Sequence, residues 1–121
     1  MWDVDTTLVE QWLLSLPTED YELCVAALEL LQEHGPALGR PLVDHIKGSK
    51  IRNLKELRPG STGKTEYRLL FAFDPQRSAI LLVAGNKSGK WRTWYEKMIP
   101  LAEKRYMHHL ERMRSGENGK A

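Results

Sequence analysis

One cysteine, Cys24, stands alone among 121 residues, so no internal disulfide can form. No apolar run approaches the roughly 18 residues that a membrane helix requires. Nothing at the N-terminus reads as a leader, and a single thiol suits a reducing compartment, so a cytoplasmic protein with no membrane partner is expected. The histidines, His34, His45, His108 and His109, show neither a Cys-pair nor an HExxH spacing. His108 and His109 are neighbours in sequence and point different ways on a helix. All four read as surface residues, and neither a metal nor a cofactor is expected. There is no local serine–histidine–aspartate signature, no internal repeat and no low-complexity segment. The glycines of Gly60-Ser-Thr-Gly-Lys-Thr65 do not make a phosphate-binding loop, because two residues separate them where four are needed and a strand follows where a helix is needed.

What the chain does have is charge, sorted along its length. Met1 to Ile46 holds 1 basic and 9 acidic residues, a net of −8. Lys47 to Lys97 holds 12 basic and 4 acidic residues, a net of +8. The tail adds 5 against 3, which leaves the whole chain at +2. The near-neutral total therefore hides a basic segment behind an acidic one, and a basic surface of that kind suits nucleic acid or an acidic partner.

Within the basic segment, Thr65 to Asp74 alternates cleanly. Tyr67, Leu69, Phe71 and Phe73 fall on one side, and Arg68, Leu70, Ala72 and Asp74 on the other, which is the period of a strand with one face in a core. Ala79 to Ala84 is a short apolar strand suited to the middle of a sheet. A basic strand over Lys50 to Arg58 precedes them, joined through a turn at Pro59 to Lys64. Pro36 to Asp44 reads as a loop. Ahead of it, Thr7 and Glu10 form a capping box for a first helix carrying Leu8, Trp12 and Leu13. Thr18 caps a second, with Tyr21, Cys24, Leu28 and Leu31 on one stripe until Gly35 and Pro36. A terminal helix starts near Thr93 and is broken or restarted at Pro100. The expectation is one α+β domain over residues 1–114, with two N-terminal helices on a twisted antiparallel sheet and a C-terminal helix, then a fraying tail over 115–121.

Arg68 is the most informative single position, since a mid-strand guanidinium opposite a core face must reach water, an acid or a phosphate. One reading is a cross-strand pair with Glu56 or Glu66. The other is convergence of Arg68 with Lys55 and Arg58 of the neighbouring strand and Lys87 at the end of the next on a single anion. Lys47, Lys50, Arg52, Lys64, Lys90 and Arg92 extend the basic surface as candidate RNA contacts. Trp91 and Tyr95 beside them can stack an unpaired base, whereas Trp94 reads as a packing residue.

In order and spacing, NLKELRPG, EYRLLFAFDPQRSAILLVAGNKSGKW and the amphipathic C-terminal segment resemble the RelE/HigB-like toxins of type II toxin–antitoxin systems, in their phage-derived HigB-like branch. The resemblance runs from about Trp2 to Leu110. It implies a RelE-like fold and ribosome-dependent, metal-independent cleavage of mRNA that inhibits translation. It also implies a cognate antitoxin, often a helix-turn-helix protein, through which operator DNA is bound. By position, Arg58 and Arg68 match the arginines of the ELR and YR motifs, Lys55 the basic strand before the turn, Lys87 the basic position after the last strand, and Tyr95 a catalytic tyrosine of some relatives. No histidine lies between His45 and His108, where other relatives use one. A ParE-like gyrase inhibitor and a non-catalytic RNA- or protein-binding module are the alternatives.

Overall fold

The computed structural model describes residues 1–119. In chain order the elements are β1 (Asp3–Asp5), α1 (Glu10–Leu14), α2 (Thr18–His34), β2 (Val43–His45), β3 (Lys55–Leu57), β4 (Tyr67–Phe73), β5 (Ser78–Asn86) and α3 (Trp91–Gly119). A 3-10 turn over Thr7–Val9 leads into α1, and another over Gly35–Ala37 follows α2. The strands form one sheet in the order β1-β5-β4-β3-β2. β1 runs parallel to β5, and every other pair is antiparallel, so the sheet is mixed.

Helices cover both faces of this sheet. On one, Tyr67, Leu69 and Phe71 of β4 join Cys24, Ala27, Leu28 and Leu31 of α2 with Val9 and Leu13. On the other, Leu70 and Ala72 join Ile80, Leu82 and Val83 of β5 beneath Trp94 and Ala102 of α3. Each fully buried leucine contributes about 1.5–3 kcal/mol relative to exposure, so both layers matter to stability. The face expected to be open is thus largely roofed by α3. Alternation in β4 distinguishes its two sides, but it does not say that one of them meets water.

A register shift between Leu70 and Phe71 sets Leu70 against Val83 and Phe71 against Leu81. Leu82 is the extra residue, so Leu82 and Val83 both face α3, and the phase of β5 changes beyond them. The change brings Gly85 beside Arg68 and beneath the indole of Trp94.

Several boundaries differ from the sequence reading. The basic strand shrinks to Lys55–Leu57, because residues 51–53 form a bend and a turn, and β2 begins inside the expected loop and runs one residue past it. Leu8 is exposed and Val9 takes its place in the core, since the 3-10 turn shifts the helical phase. Tyr21 is exposed at the edge of α2, while Asp20 is buried, donated to by the Tyr67 hydroxyl at 2.5 Å and the Thr62 hydroxyl at 3.2 Å. Pro100 sits inside α3 without ending it. It is exposed, as is Glu96, whose carbonyl loses its intrahelical partner and can bond water instead. Residues 115–119, read as tail, continue α3; the last two lie outside the described residues. His109 is no surface residue, for its Nε2 lies 2.8 Å from Asp74 Oδ2 in a half-buried pair.

Candidate active site

Four short pieces of backbone build the site. The register of β3 and β4 places Glu56 opposite Leu70, on the α3 side of the sheet. Alternation puts Arg58 and Arg68 on that same side. The first turns of α3 then deliver Tyr95, one turn after Trp91. Beyond β5, Lys87 continues the ladder by donating its N–H to the Glu66 carbonyl at 3.0 Å.

The cations converge, but on carboxylates. Glu56 is 4% exposed. Its Oε1 accepts the Tyr95 hydroxyl at 2.5 Å and lies 3.4 Å from Arg68 Nε, and its Oε2 accepts from Arg58 at 3.1 Å. Arg58 also donates to Asp44 Oδ2 at 3.2 Å. Glu66, half-exposed, lies 3.3 Å from Lys87 Nζ and 3.9 Å from Arg68. Of the two readings of Arg68, the cross-strand pairing is the one seen: it pairs with both Glu56 and Glu66, while Arg58 and Lys87 stand nearby on separate carboxylates and no single anion among the described residues gathers all the cations. The third guanidinium contact is the Tyr67 carbonyl, at 2.7 Å from Nη1. The Nε atoms of Arg58 and Arg68 are buried and form no hydrogen bond, which leaves the two guanidinium groups with unused donors.

The electrostatics fix the states of Arg58 and Tyr95. Burial works against the Arg58 charge, but Glu56 and then Asp44 outweigh it and hold the guanidinium protonated. Burial, followed by the bond to Glu56, pushes the Tyr95 phenol well above the ordinary tyrosine range. Tyr95 is therefore a neutral hydrogen-bond donor at physiological pH, not a phenolate.

Lys55 departs from the expected set. It pairs with Phe71 across the strands, so it faces α2, and its Nζ lies 5.6 Å from the Phe73 ring. A strand side chain cannot reach the opposite face, so Lys55 does not join Arg68. Lys87 does, and its Nζ also lies 5.8 Å from the Tyr95 ring. Among the candidate RNA contacts, Lys90, Trp91 and Arg92 gather at the start of α3, where Trp91 is 58% exposed and Arg92 lies 5.7 Å from its ring. Trp94 packs in the core, edge-on to Tyr95. Lys47 lines a hollow beside Tyr95. Lys50 and Arg52 are exposed on the segment between β2 and β3, where Glu103 of α3 accepts the Lys50 N–H at 2.5 Å and the Ser49 hydroxyl at 2.8 Å. Lys64 is exposed on the β3–β4 connection. Sequence reasoning saw Glu56 and Glu66 only as neutralising partners. Glu56, the hub of the cluster, had one legible sign: an acid one residue from a leucine that must face the core, in a strand flanked by cations.

Among the described residues no group of three or more potential metal ligands gathers, and no helix is long and apolar enough to cross a membrane. Residues 11–107 match the family described as "Phage derived protein Gp49-like (DUF891)". Two curated proteins of Mycobacterium tuberculosis (strain ATCC 25618 / H37Rv) are similar in sequence. One, named "Putative toxin HigB2", is 53% identical over 109 residues, covering 90% of this chain and 54% of the relative. The other, named "Putative toxin HigB3", is 46% identical over 97 residues, covering 80% of this chain and 82% of the relative. The chain thus spans about half the length of the first relative and most of the second. No solved structure matches it significantly.

Proposed function

This chain belongs to the Gp49-like phage-derived family, alongside HigB-type relatives, and we propose that it is the toxin of a type II toxin–antitoxin pair and acts as a metal-independent, ribosome-dependent mRNA endonuclease. Its partners on this reading are the ribosome with its mRNA and a cognate antitoxin. The observation that carries the proposal is the meeting of Arg58, Arg68, Lys87 and Tyr95 around two carboxylates at the rim of the sheet.

RNA brings its own nucleophile, the 2′-OH beside the scissile phosphate. The protein must align it, take its proton, stabilise the added negative charge and protonate the departing 5′-oxygen. Arg68 and Lys87 are the cations for the phosphate. They are held by Glu66, whose half-exposed side chain can swing into water when a phosphate takes its place. Freed from them, the Glu66 carboxylate accepts the 2′-OH proton, and the Lys87 ammonium delivers one to the 5′-oxygen. The products are a 2′,3′-cyclic phosphate and a free 5′-hydroxyl. Glu56 and Tyr95 hold Arg58 and Arg68 in place, so their role is positioning.

The test is to induce the protein and map the ends of ribosome-bound mRNA. Codon-phased cuts that vanish in Arg68→Ala are expected, with the fold retained by circular dichroism. Altered supercoiling without cuts would instead support gyrase inhibition. Cuts undiminished in Arg68→Ala would sink the assignment of this cluster.

A further inference from the structure

A hollow of about 270 Å³ lies between the end of β2 and α3, beside the charged cluster. Ile46, Ile99 and Tyr95 line it together with His45, Lys47 and Glu56. Ile99 follows Tyr95 by one helical turn, so both side chains lie on one stripe of α3. Glu56 is almost fully buried and forms the floor, while His45 and Lys47 are exposed at the rim.

The chemistry of this lining is selective. Two branched aliphatic side chains and one aromatic ring suit a flat apolar ring, and a rim cation suits an anion attached to it. A cavity of about 150 Å³ already takes a benzene ring, so the space suffices for a larger heterocycle. The Tyr95 ring is a fixed wall, because its hydroxyl is committed to Glu56. Glu56 Oε2 accepts only from Arg58 among the described residues, which leaves a lone pair for a donor on the ring. The same carboxylate joins Arg58 and Arg68, so a ring seated here has its backbone next to the proposed phosphate site.

We propose that this hollow is the subsite for one unpaired nucleobase flanking the scissile phosphate, and that it sets the base preference of cleavage. The proposal rests on the ribonuclease reading above. It is separable from it, because base binding and cutting can be measured apart.

The experiment is to titrate the full chain, labelled at isoleucine methyl groups, with the four nucleoside 5′-monophosphates and with inorganic phosphate. Saturable shifts at Ile46 and Ile99 with at least one nucleotide are expected, with none from phosphate and none at Ile80, which is buried in the core. Ile99→Trp and, independently, Ile46→Trp should weaken that binding by about tenfold, the effect of losing one stacked base. Both variants should redistribute mapped mRNA cuts with respect to the neighbouring base. Silence of both methyls with all four nucleotides, equal shifts from phosphate alone, or an unchanged base preference in two folded variants would overturn the subsite. Nucleotide binding in the hollow by a protein that makes no cuts would uphold base binding there, but would defeat the nuclease reading and with it the hollow's role in base preference. Cuts with a silent hollow would uphold the nuclease reading and defeat the subsite.

Discussion

The Tyr95 hydroxyl donates to Glu56 Oε1 at 2.5 Å, which ties the first turns of α3 to the middle of β3. Glu56 also holds Arg58 and Arg68, so the two partners of this bond are unequal in what they support. Tyr95→Phe removes one donor and leaves Glu56 its two cations; a loss of about 1–2 kcal/mol is expected. Glu56→Ala leaves two guanidinium groups facing each other, and about 3 kcal/mol is expected. That is the low end for breaking a buried pair, because Arg58 is partly exposed. Urea denaturation of both variants measures the order; a larger loss in Tyr95→Phe would show that the hub lies elsewhere.

Gly85 has no side chain because Trp94 occupies the space. A Cβ there would lie 2.5 Å from the indole Nε1, a distance real atoms do not adopt. The indole is rigid and 8% exposed, so it has little room to yield. Gly85→Ala should cost about 1–3 kcal/mol through overpacking. It should also alter tryptophan fluorescence and weaken the proposed cleavage, since Gly85 pairs with Arg68. A thermal midpoint equal to wild type would contradict this account.

Tyr67 makes stability depend on alkaline pH. Burial, and then its bond to Asp20, push its phenol from 10.0 to about 12. A raised folded pKa means that the folded chain holds the proton more tightly than the unfolded one. Below pH 10 both forms are protonated and the contribution is whole; between 10 and about 12 the unfolded chain loses its proton first, so stability falls as pH rises. Burial likewise raises Tyr95 and Tyr106. Stability measured against pH should therefore decline above about pH 10, less steeply in Tyr67→Phe. Identical slopes for the two proteins would refute the role of Tyr67.

His109 anchors the second half of α3. Its ring meets Asp74, whose other oxygen accepts the N–H groups of Gln76 and Ser78 in the β4–β5 turn. Close by, the Tyr106 hydroxyl donates to the Phe73 carbonyl at 3.0 Å. His109→Ala should cost about 1–2 kcal/mol. Faster hydrogen exchange is expected in α3 beyond Glu103 and in the turn, with the start of α3 unaffected. Uniform acceleration along the helix would argue that the pair is not a local anchor.

Local chemistry alone determined much of this protein. The period of Tyr67 to Phe73 defines a strand, the stripe from Cys24 to Leu31 a helix, and Gly35, at φ 58°, its end. The nearness of Arg58, Arg68 and Lys87 was legible in strand order, because antiparallel neighbours lie about 5 Å apart, but the same reasoning included Lys55, and Tyr95 entered the group only through the family resemblance. Tertiary structure decided the rest. Whether the second sheet face met water depended on where α3 lay, and periodicity within one strand carries no information about a helix packed from far along the chain. The side taken by Lys55 turned on a three-residue register, and the phase of Gly85 on a bulge at Leu82 that the even apolar run from Ala79 to Ala84 conceals. Above all, burial made Glu56 the centre of the site: a carboxylate sealed beneath a helix must gather cations, and only packing determines which acid is sealed.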